Sequence, residues 1–234
     1  MKRDPIDYGI ITAMAIEMEA LLPWLSHVEQ ITHNNFIFIK GNIGNKKVAL
    51  CVSDMGQTNT AIATMQFLYC FEPAAMIFCG IAGAVLPSLK MGDVVIGETI
   101  VPLDIQLLHD FNKINRCEFG KLPESRFISD KSLVDVFIKA NLNIKFGTIA
   151  TSDYFPYPID MPVLFEGVPI LSIDMESSAF SQCCEKMNIP FVVIRAISNV
   201  INKDISFSGI SSGPIHMASQ KAAEMAVAFI KLRR

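Results

Sequence analysis

The stretch Ala75-Met76-Ile77-Phe78-Cys79-Gly80-Ile81-Ala82-Gly83-Ala84 decides the fold class. Its first five residues are apolar and uncharged, the length of a strand buried on both faces. Pro73 separates them from the helical pattern of Thr58 to Phe71. The glycine-rich Gly80 to Ala84 reads as the turn that ends the strand. Helix, short apolar strand and glycine turn together form the repeating unit of an α/β sheet.

The same alternation extends in both directions. Upstream, Tyr8 to Ala13 predicts a first strand, buried on both faces. Ile16 to Leu25 has helical spacing and is stopped near Pro23. Asn35 to Lys40 and Lys47 to Ser53 predict two strands joined by a turn at Gly41-Asn42 or Gly44-Asn45. Downstream, strands are predicted over Asp93 to Val101, Gly147 to Thr151, Pro169 to Ile173 and Phe191 to Ala196. Helices are predicted over Lys131 to Asn141 and Met175 to Met187, the second capped by Asp174. Pro214 opens a final helix that runs to about Lys231. Residues 105 to 128 are mixed and polar and carry no clear period. The expectation is one α/β domain over residues 1–234, three-layer α/β/α around a mixed, largely parallel central sheet.

Composition excludes several classes. Of 234 residues, 51% are hydrophobic and 18% charged, which suits a large core and not a disordered chain. The net charge is −3 with no cluster of Lys or Arg, so no nucleic acid partner is expected. The apolar runs are too short to span a bilayer, so no membrane partner is expected. No apolar signal core follows Met1-Lys2-Arg3-Asp4-Pro5, which reads as cytoplasmic. The six cysteines show neither zinc spacing nor a redox pair and read as reduced, mostly buried thiols. The four histidines are scattered, so no metal is expected.

In open α/β sheets the ligand sits beyond the carboxyl ends of the strands. Five segments qualify: Met14 to Glu19, Gly80 to Ala84, Thr151 to Phe155, Asp174 to Ser177, and Ser198-Asn199. They supply carboxylates, an aromatic and an amide. Carboxylates hold sugar hydroxyls or activate water in glycosidic cleavage. An aromatic stacks on a planar base, and an Asn can both donate and accept at a base edge. Each residue also has a structural explanation. Glu19, and less so Glu17, suits a solvated first helical turn. Glu176 suits a helix start, the glycines a tight turn, Phe155 the core, and Asn199 a turn. Their convergence on one sheet edge favours a site.

Four ordered motifs then carry a resemblance. They are Gly9 to Met14 followed by Glu17; Gly80 to Ala84 with Leu89-Lys90-Met91-Gly92-Asp93-Val94-Val95; Ile173 to Ala179; and Phe191 to Asn199. Together they resemble the bacterial 5′-methylthioadenosine/S-adenosylhomocysteine nucleosidases of the purine nucleoside phosphorylase superfamily. The resemblance implies hydrolysis of the bond between ribose C1′ and purine N9, without a cofactor. It implies that Glu17 activates the water, Glu176 binds the ribose hydroxyls, Met175 packs beneath the sugar and Phe155 stacks on the base. Met55 and Phe207 would flank the 5′ substituent, and Ile81, Ala82 and Gly83 would line the pocket. A homodimer and a place in methionine salvage are implied as well.

Two departures from the family pattern bear on the chemistry. Phosphorylases of the superfamily bind their anion with arginines and a Ser or Thr in the glycine segment; here Ile81 stands there, and Thr12 to Glu17 has no Arg. Water is therefore the expected nucleophile. The family acid that protonates purine N7 is an Asp, and here it is Asn199, whose amide releases no proton. The leading reading is an adenine-nucleoside hydrolase. The alternatives are a 6-oxopurine nucleoside hydrolase (futalosine- or inosine-like), a phosphorylase, or a nucleoside-binding protein with weak turnover. After Asp93 to Val101, the stretch Val101 to Asp110 also differs from the family and leaves the 5′ substituent open.

Overall fold

The computed structural model describes residues 3–104, 126–140, 142–154, 164–165, 168–201 and 212–233. Eleven strands form one sheet among these residues. In chain order they are β1 (Asp4–Thr12), β2 (Ser26–His33), β3 (Phe36–Ile43), β4 (Lys46–Val52), β5 (Phe71–Ala84), β6 (Val94–Pro102), β7 (Phe127–Ile128), β8 (Lys145–Thr151), β9 (Leu164–Phe165), β10 (Val168–Asp174) and β11 (Phe191–Val200). The helices are α1 (Ala15–Leu21), α2 (Gln57–Cys70), α3 (Lys131–Lys139), α4 (Ser177–Lys186) and α5 (Ser212–Leu232). A short 3₁₀ turn, Leu22–Trp24, follows α1, with Pro23 inside it.

The middle of the sheet, β4-β1-β5-β11, is parallel. Antiparallel partners flank it: β3 beside β4, β2 beside β3, and β6 beside β11. Beyond β6 the order continues through β8 to β10, and β10 turns back to pair with β5 at Ile173–Gly83 and Ser172–Ala84. Strands β5, β11, β6, β8 and β10 thus close into a ring. Closure brings the carboxyl ends of β5, β10 and β11 together.

Helices cover both faces. On one side α1, α3 and α5 pack over Ile10, Ile77, Ile194, Phe137 and Phe229. On the other, α2 and α4 pack over Ile11, Phe78, Val193, Phe67 and Phe180. This is the three-layer arrangement of a mixed sheet, and it follows from strands whose alternate residues are all apolar.

Several predicted boundaries move. Gly80 to Ala84 is not a turn: β5 continues through it, pairing with β11 from Met76 to Ala84. Pro73 is not a separator but lies in β5, opposite Ile6. Helix α4 starts at Ser177, two residues later than expected. Strand β2 carries no strand signal in the sequence because most of its side chains are exposed, which removes the apolar alternation. The hairpin turn between β3 and β4 is Gly44-Asn45, with Gly44 at φ +61°, a conformation that suits glycine. Of the unassigned stretch, residues 105–125 lie outside the described residues. Among the described residues, no helix is long and apolar enough to cross a membrane.

Candidate active site

A cavity of about 220 Å³ opens at the carboxyl ends of β1, β5, β10 and β11. All five segments picked out from the sequence reach its wall, through Met14 and Glu17, Ile81 to Gly83, Ser152 and Tyr154, Asp174 to Glu176, and Ser198-Asn199. Met55, from the loop before α2, completes the rim. Of the ten residues expected in the site, eight lie on this wall: Glu17, Met55, Ile81, Ala82, Gly83, Met175, Glu176 and Asn199. Phe155 and Phe207 lie outside the described residues.

Glu17 is 1% exposed, whereas Glu19 is exposed. Residues two apart on a helix face opposite sides, so only one of the two can turn inward. Three main-chain N–H groups hold the Glu17 carboxylate. Ala13 and Met14 donate to Oε2 at 2.8 and 2.9 Å, and Ile81 donates to Oε1 at 2.9 Å. Burial pushes its pKa above the ordinary carboxylate value; the nearby Arg195 charge and the three N–H groups act in the opposite direction.

Arg195 organises the wall beside Glu17. It is fully buried in the middle of an apolar strand, with its guanidinium 4.3 Å above the Phe78 ring. Its Nε lies 2.9 Å from Asp174 Oδ2, its Nη2 donates to Glu176 Oε2 at 3.2 Å, and its Nη1 donates to the Ile81 carbonyl at 3.0 Å. Burial works against the charged guanidinium, but Asp174, Glu176 and Glu17 outweigh it and raise the pKa further. The cation is therefore permanently charged and already neutralised by protein groups.

Asp174 has the larger share of partners. It accepts from Thr151 Oγ1 at 2.7 Å, from the main chain of Glu176 and Ser177, and from the Ser177 hydroxyl. It thereby serves the first N–H groups of α4 although Glu176 occupies the N-cap position. Glu176 accepts from Gly56 N at 3.0 Å through Oε1. Burial, and the neighbouring charges of Asp174 and Glu17, raise its pKa to about 7 against the pull of Arg195.

Gly80 explains why these groups can meet. A Cβ there would lie 2.6 Å from Arg195 Nη1 and 2.7 Å from Glu17 Oε1. The glycine serves close approach, not a turn. Asn199 lies on the cavity wall beside Gly83. The sequence reading placed Asp174 and Ser198 in its five segments but gave neither a role toward the substrate, and it missed Arg195. The signal for Arg195 was present: one charged residue inside the apolar run Phe191 to Ile197 is costly unless paired. Among the described residues, no group of His, Cys, Asp and Glu side chains is placed to hold a metal ion.

Comparison with known proteins agrees with this fold. Residues 7–231 match the family described as "Phosphorylase superfamily". The 5′-methylthioadenosine/S-adenosylhomocysteine nucleosidase of Staphylococcus haemolyticus is 32% identical over 209 residues, covering 85% of this chain and 90% of that protein. The crystal structure of the nucleosidase of that name from Neisseria meningitidis, in complex with methylthio-immucillin-A, superposes with a TM-score of 0.79 at 28% identity. It covers 96% of this chain and 98% of that one. The Streptococcus pneumoniae enzyme, with the transition-state inhibitor MT-ImmA, gives 0.81 at 27% identity, over 98% and 100% of the two chains. Sequence likeness and shared fold thus run the length of the chain, and the chain belongs to the 5′-methylthioadenosine/S-adenosylhomocysteine nucleosidase family of the phosphorylase superfamily.

Proposed function

We infer that this chain is an N-ribosyl hydrolase that cleaves 5′-methylthioadenosine- and S-adenosylhomocysteine-type nucleosides by attack of water at C1′. The observation that carries the reading is that two buried carboxylates, Glu17 and Glu176, and the Asn199 amide line one cavity. The substrate class rests on the names of the relatives, which lend the 6-oxopurine alternative no support.

In the reaction, the C1′–N9 bond breaks with its electron pair moving onto the purine. The water oxygen bonds to C1′, and its proton passes to Glu17. The purine takes up a proton from solvent, because the Asn199 amide has none to give. A base whose pKa is raised by burial binds that proton more readily than an ordinary carboxylate. Its negative charge also stabilises the oxocarbenium character of the transition state. Glu176, fixed by Arg195 and Gly56 N, accepts from the ribose hydroxyls. Met175 packs beneath the sugar and Met55 flanks the 5′ group; Ile81, Ala82 and Gly83 line the pocket floor. The stacking of Phe155 and the apolar contact of Phe207 rest on the resemblance alone.

Water is favoured over phosphate by charge. Among the described residues, Arg195 is the only cationic side chain on the cavity wall, and Asp174 and Glu176 already neutralise it. A phosphate would face Glu17 with no cation of its own. The homodimer belongs to this reading as well. It is supported by Met55 and Tyr154, 58% and 64% exposed at the cavity mouth, where a second copy would cover them. A cytoplasmic location is supported by the cysteines among the described residues, Cys51, Cys70, Cys79, Cys183 and Cys184, which are free thiols. We read residues 1–234 as one domain, a reading supported by the single sheet, and place its reaction in methionine salvage by resemblance.

The test is base release from methylthioadenosine, adenosylhomocysteine, adenosine, inosine and futalosine, followed by chromatography with and without phosphate. Adenine from the first two without phosphate is the expected result. Hypoxanthine from the last two alone would move the chain to a 6-oxopurine class. Release that depends on phosphate would make it a phosphorylase. Binding with no release at all would leave a nucleoside-binding protein.

A further inference from the structure

Glu176 leans on a loop that needs outside support. The segment between β4 and α2 holds Asp54 at φ +64° and Gly56 at φ +97°. Such conformations persist only where surrounding groups fix them. Gly56 is the residue whose N–H donates to Glu176 Oε1. Two of the loop's carbonyls are bound from α2 itself: Asn59 Nδ2 donates to that of Met55 at 2.8 Å, and Thr60 N to that of Gly56 at 3.0 Å. Gln57, the next residue, reaches other segments. Its N–H donates to Asp153 Oδ1 at 2.8 Å, beyond β8. Its Nε2 donates to Asp104 Oδ2 at 3.2 Å, beyond β6, and its Oε1 accepts from the Ser178 hydroxyl at 2.6 Å, in α4. The other Asp104 oxygen accepts from Ser152 Oγ at 2.9 Å.

An ionised carboxylate only accepts, so the Gln57 NH₂ faces Asp104 and its oxygen faces Ser178; the amide has one orientation. Gly56 and Glu176 are the N-cap residues of α2 and α4. Two contacts therefore cross between the two helix starts in opposite directions, Gly56 N to Glu176 and Ser178 Oγ to Gln57. We propose that Gln57 is a positioning residue: its clasp on Ser178 and Asp104 keeps the Gly56 N–H on Glu176, and so sets how sharply the enzyme prefers a sugar that carries its hydroxyls. This inference rests on the N-ribosyl hydrolase reading and deepens it. With Oε1 held by Gly56 and Oε2 by Arg195, the remaining lone pairs of Glu176 have fixed directions. If Gly56 withdraws, the carboxylate turns about its last bond and meets the ribose hydroxyls in poorer geometry.

The test compares kcat/KM for methylthioadenosine and for its 2′,3′-dideoxy counterpart in wild type, Gln57→Met, Ser178→Ala and the double variant. Gln57→Met keeps the length of the side chain and loses both of its hydrogen bonds. The greater intrinsic lability of the dideoxy sugar is common to all four proteins and cancels from the comparison. Gln57→Met should reduce the preference for the hydroxylated sugar by roughly ten-fold, about the worth of one hydrogen bond to a charged group. Ser178→Ala removes one bond of the clasp and should reduce it by roughly three-fold. Added to Gln57→Met it should change nothing further, because both act through the same contact. Thermal denaturation checks that each variant is folded; if Gln57→Met is not, Ser178→Ala alone decides. A merely structural role for Gln57 would slow both substrates alike and leave the preference unchanged, which would overturn the inference alone. A wild type that shows no preference would overturn it too. Absence of base release from methylthioadenosine by the wild type would overturn the hydrolase reading together with it.

Discussion

The Arg195 guanidinium and the Glu176 carboxylate meet at 3.2 Å with both side chains almost wholly withdrawn from water. The contact joins β11 to the start of α4 and, through Gly56, to the loop before α2. One ion pair therefore fixes three chain segments around the cavity. Removing the cation leaves Asp174 and Glu176 buried with uncompensated charge. Arg195→Ala should cost about 3–5 kcal/mol of stability, and urea unfolding would measure it. A loss under about 1 kcal/mol would show that solvent reaches the pair.

Glu176 should make stability depend on pH. Its pKa is about 7 in the folded chain and near the ordinary 4.5 when unfolded. Between those values the folded state holds a proton that the unfolded state has released. Its contribution is thus fully present below about pH 4.5 and is lost as pH rises through about 7. Glu176→Gln cannot titrate. The melting temperature of that variant, relative to wild type, should rise from about pH 5 to about pH 8, by roughly 2–4 °C for each kcal/mol that the wild type loses. A difference that stays flat across that range would contradict the raised pKa.

Gly80→Ala should harm activity more than its size suggests. The added methyl would stand 2.6 Å from Arg195 Nη1 and 2.7 Å from Glu17 Oε1, both held by other partners. Neither group can retreat without breaking its hydrogen bonds. Overpacking of this kind costs about 1–3 kcal/mol in stability. Displacement of Glu17 by about 1 Å should lower kcat by roughly a hundred-fold. Steady-state kinetics beside thermal denaturation would separate the two effects.

Asn199→Asp would introduce an ionisable group beside the leaving base. The variant should hydrolyse methylthioadenosine faster, by roughly a hundred-fold or more if protonation limits the wild-type reaction. It should also gain a decline in kcat at high pH, as the new acid loses its proton. An unchanged rate and profile would mean that protonation of the purine does not limit turnover.

The residues alone determined much of this protein. Apolar runs at Tyr8, Ala75, Gly147, Pro169 and Phe191 located the inner strands, because a strand covered on both faces needs apolar side chains throughout. The strand-end rule then located the cavity, and the motif order pointed to the family. Exposed β2 escaped because water imposes no such pattern on it. Tertiary structure alone decided the rest. It set Glu17 inside and Glu19 outside by the packing of α1 against α5 and the sheet. It drew Gly80 to Ala84 into β5, since the close approach of Arg195 and Glu17 needs a backbone without side-chain bulk. It also gave Arg195 its partners, Asp174 and Glu176, which lie about twenty residues earlier in the chain. A buried charge shows in a sequence as an anomaly; its compensation exists only once the chain has folded.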